Sequence, residues 1–181
     1  MPNWVTNYLT VEKEIAKEYI LNKENEVDFE ILCPMPKELE NTDAPCMPNE
    51  ELLEKYGASN WYDWHVKNWG TKWNASNTYV EDLGDGRVRI EFDTPWSTPY
   101  VWLMALRNAD EFDIDYHLAW IEEQGYRGIE IALGDYYTEF ELPMVEWEED
   151  EHGDYISSEE NEPFDWRELT YDGQYEELME E

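Results

Sequence analysis

The stretch Thr78-Tyr-Val-Glu-Asp-Leu-Gly84-Asp85-Gly86-Arg-Val88-Arg-Ile90-Glu-Phe92-Asp93 decides the fold class. Gly84-Asp85-Gly86 supplies the positive-φ residues of a tight turn, and the flanks at 78–82 and 87–93 are strand-like. In the second flank Val88, Ile90 and Phe92 face one way and Arg87, Arg89, Glu91 and Asp93 the other. One face of this hairpin is therefore buried and the other meets water.

Reading outward, Thr98-Pro99 opens a helix with Pro at its first position, and Val101–Leu106 is apolar almost all round. Residues 112–118 then alternate, with Phe112, Ile114, Tyr116 and Leu118 inward and Asp113, Asp115 and His117 outward. Further strands are expected at 127–133 and 136–142. On the other side, residues 4–10 read as a strand. Residues 11–22 read as a helix capped by Thr10, with Ile15, Ala16, Tyr19 and Ile20 on one face. Residues 27–33 look extended. Short helices follow at about 50–56, between Asn49 and Gly57, and at about 60–69, before Gly70.

This order predicts an α+β fold, a ferredoxin-like βαββαβ sandwich with a Trp-rich helical insertion (about 27–75) and extra C-terminal strands. The expected domain is 1–143, followed by an acidic, aromatic-containing extension, 144–181.

Charge restricts function more than any motif does. Among 181 residues, 45 Asp and Glu face 12 Lys and Arg, a net charge of −33. The last 38 residues carry 16 of the acids and one Arg. Such a balance argues against direct nucleic-acid binding, which Lys and Arg carry, and against an anionic membrane surface. Aromatic residues at 15% supply a core that a disordered acidic chain would lack. The N-terminus shows no signal peptide and no run is long enough for a membrane span, so the expected compartment is the cytoplasm. Cys33 and Cys46 are read as free thiols, one bridge being the alternative.

Chemistry-bearing patterns are few. The densest is Trp61-Tyr-Asp-Trp64-His65-Val-Lys-Asn-Trp69-Gly-Thr-Lys72-Trp73. Trp61, Trp64, Trp69 and Trp73 form either an aromatic site for a cation or a base, or anchors pinning the insertion to the sheet. His117 with Asp113 and Asp115 has no nucleophile beside it, so no catalytic residue is assigned. The carboxylate runs lack the spacing of a calcium loop, and Cys33 and Cys46 lack a second ligand pair, so no metal or cofactor is expected.

Four segments carry a resemblance: Asn3-Trp4-Val5-Thr6-Asn7, Cys33-Pro-Met-Pro-Lys-Glu-Leu39, Asn68-Trp-Gly-Thr-Lys-Trp-Asn-Ala75 and Phe92-Asp-Thr-Pro-Trp-Ser-Thr-Pro99. Over about residues 1–142 the chain resembles the YubB-type ferredoxin-like family of plasmid, phage and prophage proteins. The resemblance implies a ferredoxin-like fold and a mobile-element origin, and brings no activity with it.

Duplex DNA carries one charge per about 1.7 Å, so 33 charges match roughly 56 Å of duplex, while a domain of this size is about 40 Å across. That density, together with the mobile-element origin the resemblance implies, suggests an acidic DNA-mimic inhibitor filling the basic nucleic-acid groove of a host defence protein, such as a CRISPR effector or restriction enzyme. The expected partner-binding residues are Glu146, Trp147, Glu148, Glu149, Asp150 and Glu151, with Glu159, Glu160 and Glu162. The alternative is a non-enzymatic adaptor that binds a protein or peptide through an aromatic surface.

Overall fold

The computed structural model describes residues 3–110 and 113–145, and the backbone of 147–149 and 155–157. The chain is α+β, built on a six-stranded antiparallel sheet in the order β2-β3-β1-β4-β5-β6. Its strands are β1 (Trp4–Glu12), β2 (Ser76–Asp82), β3 (Arg87–Pro95), β4 (Tyr116–Glu122), β5 (Arg127–Leu133) and β6 (Tyr136–Leu142). A separate pair, β7 (Trp147–Glu149) and β8 (Tyr155–Ser157), is antiparallel.

The hairpin turns where Gly84 and Gly86 reach φ of 78° and 93°, and Val88, Ile90 and Phe92 are buried as their alternation requires. Strands β5 and β6 keep the boundaries read from the sequence. Helix α2 (Glu50–Tyr56) does too: Asn49 Oδ1 accepts from Glu51 N and Leu52 N, and Gly57 closes it at φ 69°. Helix α3 (Trp61–Asn68) is capped by Asn60 and followed by Gly70 at φ 83°. A Cβ on Gly70 would lie 2.9 Å from the Tyr100 ring, so glycine is required there twice over.

Five expectations are corrected. Strand β1 runs on to Glu12 because Thr10, Val11 and Glu12 pair with Arg89, Val88 and Arg87; Thr10 is thus a buried strand residue and caps nothing. The helix after it, α1, is an α turn (Lys13–Ile15) running into a π turn (Ala16–Ile20). Residues 29–33 fold into turns, not a strand, with Cys33 N donating to Phe29 O at 2.9 Å. Val27 and Phe29 are still buried, since packing rather than sheet pairing set that alternation. Helix α4 (Tyr100–Arg107) has Pro99 at its N-cap and buries one face, Trp102, Leu103 and Leu106, while Tyr100 and Met104 are exposed. Residues 113–115 precede β4, although Ile114, Tyr116 and Leu118 are buried as expected.

The main core lies between the sheet and its helices, where Leu9, Ile90, Phe92 and Leu118 meet Ile20, Phe29, Trp69, Trp102 and Leu106. On the opposite face Ala119, Ile129, Ile131 and Leu142 form a second apolar cluster with Tyr8, Ile121 and Phe140. Val145 is buried and donates to Gly125 O at 2.9 Å, and Arg127 Nε donates to Pro143 O. Residues 143–145 are therefore bound to the β4–β5 turn.

Candidate functional site: a carboxylate and aromatic groove

The helix-side face of the sheet changes chemistry along its strands. Antiparallel register places Leu118, Glu130 and Glu139 in one row across β4, β5 and β6, and Trp120, Gly128 and Glu141 in the next. Glu122, opposite Val5 on β1, belongs to the same face. Where α4 packs, this face is apolar; further along it presents four carboxylates. A Cβ on Gly128 would lie 2.7 Å from the Trp120 indole, so glycine lets that ring lie against β5.

The loop from β3 to α4 closes the other side. Trp96 holds a left-handed φ of 73° and is half exposed, and its N–H donates to Asn3 O at 2.8 Å. The loop is fixed by Thr94 Oγ1, which donates to Ser97 O, by Ser97 Oγ, which donates to Gly70 O, and by Thr71 Oγ1, which donates to Pro95 O. Asn7 Nδ2 donates to Thr94 Oγ1. Three of the four sequence segments at 3–7, 33–39, 68–75 and 92–99 thus meet in this knot, and the segment 33–39 joins through Trp69 Nε1 donating to Cys33 O at 3.0 Å.

Between loop and sheet lies a cavity of about 420 Å³, walled by Trp96, Tyr100 and Trp120 and by Glu122, Glu130, Glu139 and Glu141. Glu130 is only 5% exposed. Burial pushes its carboxyl above the usual range; the hydroxyls of Tyr116 and Tyr137 bond to it and oppose that shift, and the neighbouring Glu139 charge adds to it. Tyr116, hydrogen-bonded to Glu130, is held well above an ordinary phenol by burial and by that carboxylate. Among the described residues no Lys or Arg pairs with any of the four glutamates. Like charges directly opposite on neighbouring strands destabilise a sheet. Glu130 and Glu139 stand so.

The Trp-rich segment divides in two. Trp64 and Trp69 are core: Trp69 stacks on His65 at 3.8 Å and meets the edges of Trp64 and Phe29. Burial holds the His65 pKa down, and its Nδ1 bonds to Lys72 O. Trp61 is half-buried and lines a second cavity with Tyr62, Lys72 and Trp96. Trp73 is exposed, and Lys72 Nζ lies 4.4 Å from its ring and 5.1 Å from that of Trp96. An aromatic arrangement for a cation exists here, and the chain's own Lys72 occupies it.

Of the carboxylates singled out from the sequence, Glu148 and Glu149 fall with Trp147 on β7, their side chains outside the described residues. Glu146, Asp150, Glu151, Glu159, Glu160 and Glu162 lie outside the described residues altogether. Asp113 pairs with Arg107 at 3.5 Å, and Asp115 accepts from Gly134 N at 2.6 Å. Both thiols are free. Among the described residues no three His, Cys, Asp or Glu side chains are gathered to hold a metal ion, and no helix is long and apolar enough to cross a membrane.

The groove escaped sequence reading because its members are far apart in the chain. One local signal was available: Glu130 between Ile129 and Ile131 in a strand whose flanks on both faces are apolar. Compared with protein-family models, curated proteins and solved structures, the chain matches none.

Proposed function

We propose that this protein binds a basic partner, its carboxylates taking the place of nucleic-acid phosphates in the groove of a host nucleic-acid-binding defence protein. The observation that carries the reading is unneutralised charge. The six ion pairs of the described residues engage Lys13, Lys17, Lys55, Arg87, Arg89 and Arg107, half of the 12 bases, each beside its own carboxylate. The net charge of −33 already counts all 12 bases, so 33 carboxylates have no base to match them. The strand order β2-β3-β1-β4, with helices after β1 and β3, supports a ferredoxin-like core extended by β5 and β6. A mobile-element origin rests on the four-segment resemblance alone.

The exposed rings of Trp96, Tyr100 and Trp73 favour the second reading, an adaptor that docks a protein through aromatic surface. Salt and DNA separate the two. A nucleic-acid-binding protein captured from host lysate should be displaced by added duplex DNA, and its affinity should fall steeply between about 50 and 200 mM salt. Capture indifferent to both would sink the mimic and leave the adaptor.

A further inference from the structure

We infer that the groove between the Trp96 loop and β4–β6 receives an arginine side chain of the basic partner; this rests on the reading above and assigns that partner an anchor. A carboxylate cluster alone is a solvated face. Here the glutamates share a cavity of about 420 Å³ with three aromatic rings, within the size range of ligand sites. One of them, Glu130, is buried, and facing Glu139 across the strand pair leaves two carboxylates with no cation between them among the described residues. A cation entering the cavity would relieve that repulsion.

The wall chemistry selects which cation. The carboxylates come from three strands and are not gathered as metal ligands, so a compact divalent ion gains little. A planar guanidinium can stack on an indole or phenol face while its N–H groups reach carboxylates at its edges, which a hydrated ammonium does less well. The neighbouring cavity supplies an internal comparison: there Lys72 lies over Trp73 and Trp96 and fills the aromatic site from within. On the β4–β6 side of Trp96 the described residues provide no such lysine. An arginine of the partner supplies the cation.

The test uses the full chain and capped Gly-Arg-Gly as probe, with capped Gly-Lys-Gly and Gly-Gly-Gly beside it. The arginine peptide should shift the indole N–H resonances of Trp96 and Trp120 saturably, and the lysine peptide should bind more weakly. Trp96→Ala, and separately Glu139→Gln with Glu141→Gln, should weaken arginine binding about fivefold or more, the effect that marks an anchor. The control Glu51→Gln with Glu54→Gln, on exposed α2, removes the same charge and should leave it unchanged. If Trp96→Ala fails to fold, the glutamate pair decides. Shifts spread over all indoles, equal binding of lysine, or equal loss in the α2 control would overturn the assignment. A partner captured in DNA-sensitive fashion yet bound equally by the groove variants would sink the arginine anchor and leave the basic-partner reading intact. Capture that ignores DNA would sink that reading instead.

Discussion

Glu130 shows what a single residue can cost a sheet. Its raised carboxyl means that the unfolded chain releases the proton first as pH rises. Between the ordinary glutamate range, about 4.3, and the higher folded value, the native state holds more protons than the unfolded one. This group's effect on stability is therefore full penalty above that window and none below it. Glu130→Gln removes the titration and still lets the Tyr116 hydroxyl donate to an oxygen. The variant should melt above the parent at pH 7, and the gap should close by about pH 4, where both carboxyls are protonated. A gap independent of pH would show that packing, not charge, sets the difference. A residue that weakens the free protein, beside rings that line a cavity, belongs to a binding site more naturally than to a scaffold.

At the scale of elements, the long segment between α1 and β2 is held by one of its tryptophans and not by another. Trp69 is buried against His65, Trp64 and Phe29 and donates to Cys33 O; Trp73 is 38% exposed. Trp69→Ala should destabilise the fold by roughly 3–5 kcal/mol, as large core truncations do. Trp73→Ala should cost much less, and denaturant melts of the two side by side check the contrast. The sequence makes the two look alike, because each is a Trp beside a helix end and the tertiary neighbours that separate them lie elsewhere in the chain. Elements bounded by local chemistry are legible: Asn49 and Gly57 define α2, and Gly84-Asp85-Gly86 defines the hairpin. Elements bounded by partners are not. Residues 11 and 12 fall in the stretch read as helical yet stay in β1, because β3 offers Arg87 and Val88 for pairing. The groove is of the second kind, assembled from a loop and three strands by sheet register.

For the whole molecule, the excess of negative charge is a load that the fold carries in every condition where the carboxylates are ionised. Its size can be read from salt. At 0.01 M the screening length is about 30 Å, comparable to the molecule, and nearly all the carboxylates repel one another; at 0.15 M it is about 8 Å and only neighbours do. Salt also weakens the exposed ion pairs, such as Lys17–Glu14 and Arg87–Asp85, but solvent already screens pairs of this kind and each contributes little. Repulsion involves many more groups, so the relief should win. The melting temperature should rise as sodium chloride goes from 0.01 to 0.15 M, by about 2–4 °C for each kcal/mol recovered. Binding of a basic partner should move the opposite way over the same range, because screening removes the attraction that draws it in. The two trends together discriminate: a protein that gains stability and loses affinity with salt uses its charge for association at the expense of folding. Stability and affinity that both ignore salt would mean that counter-ions already neutralise the surface, and the carboxylates would then be a solvated coat.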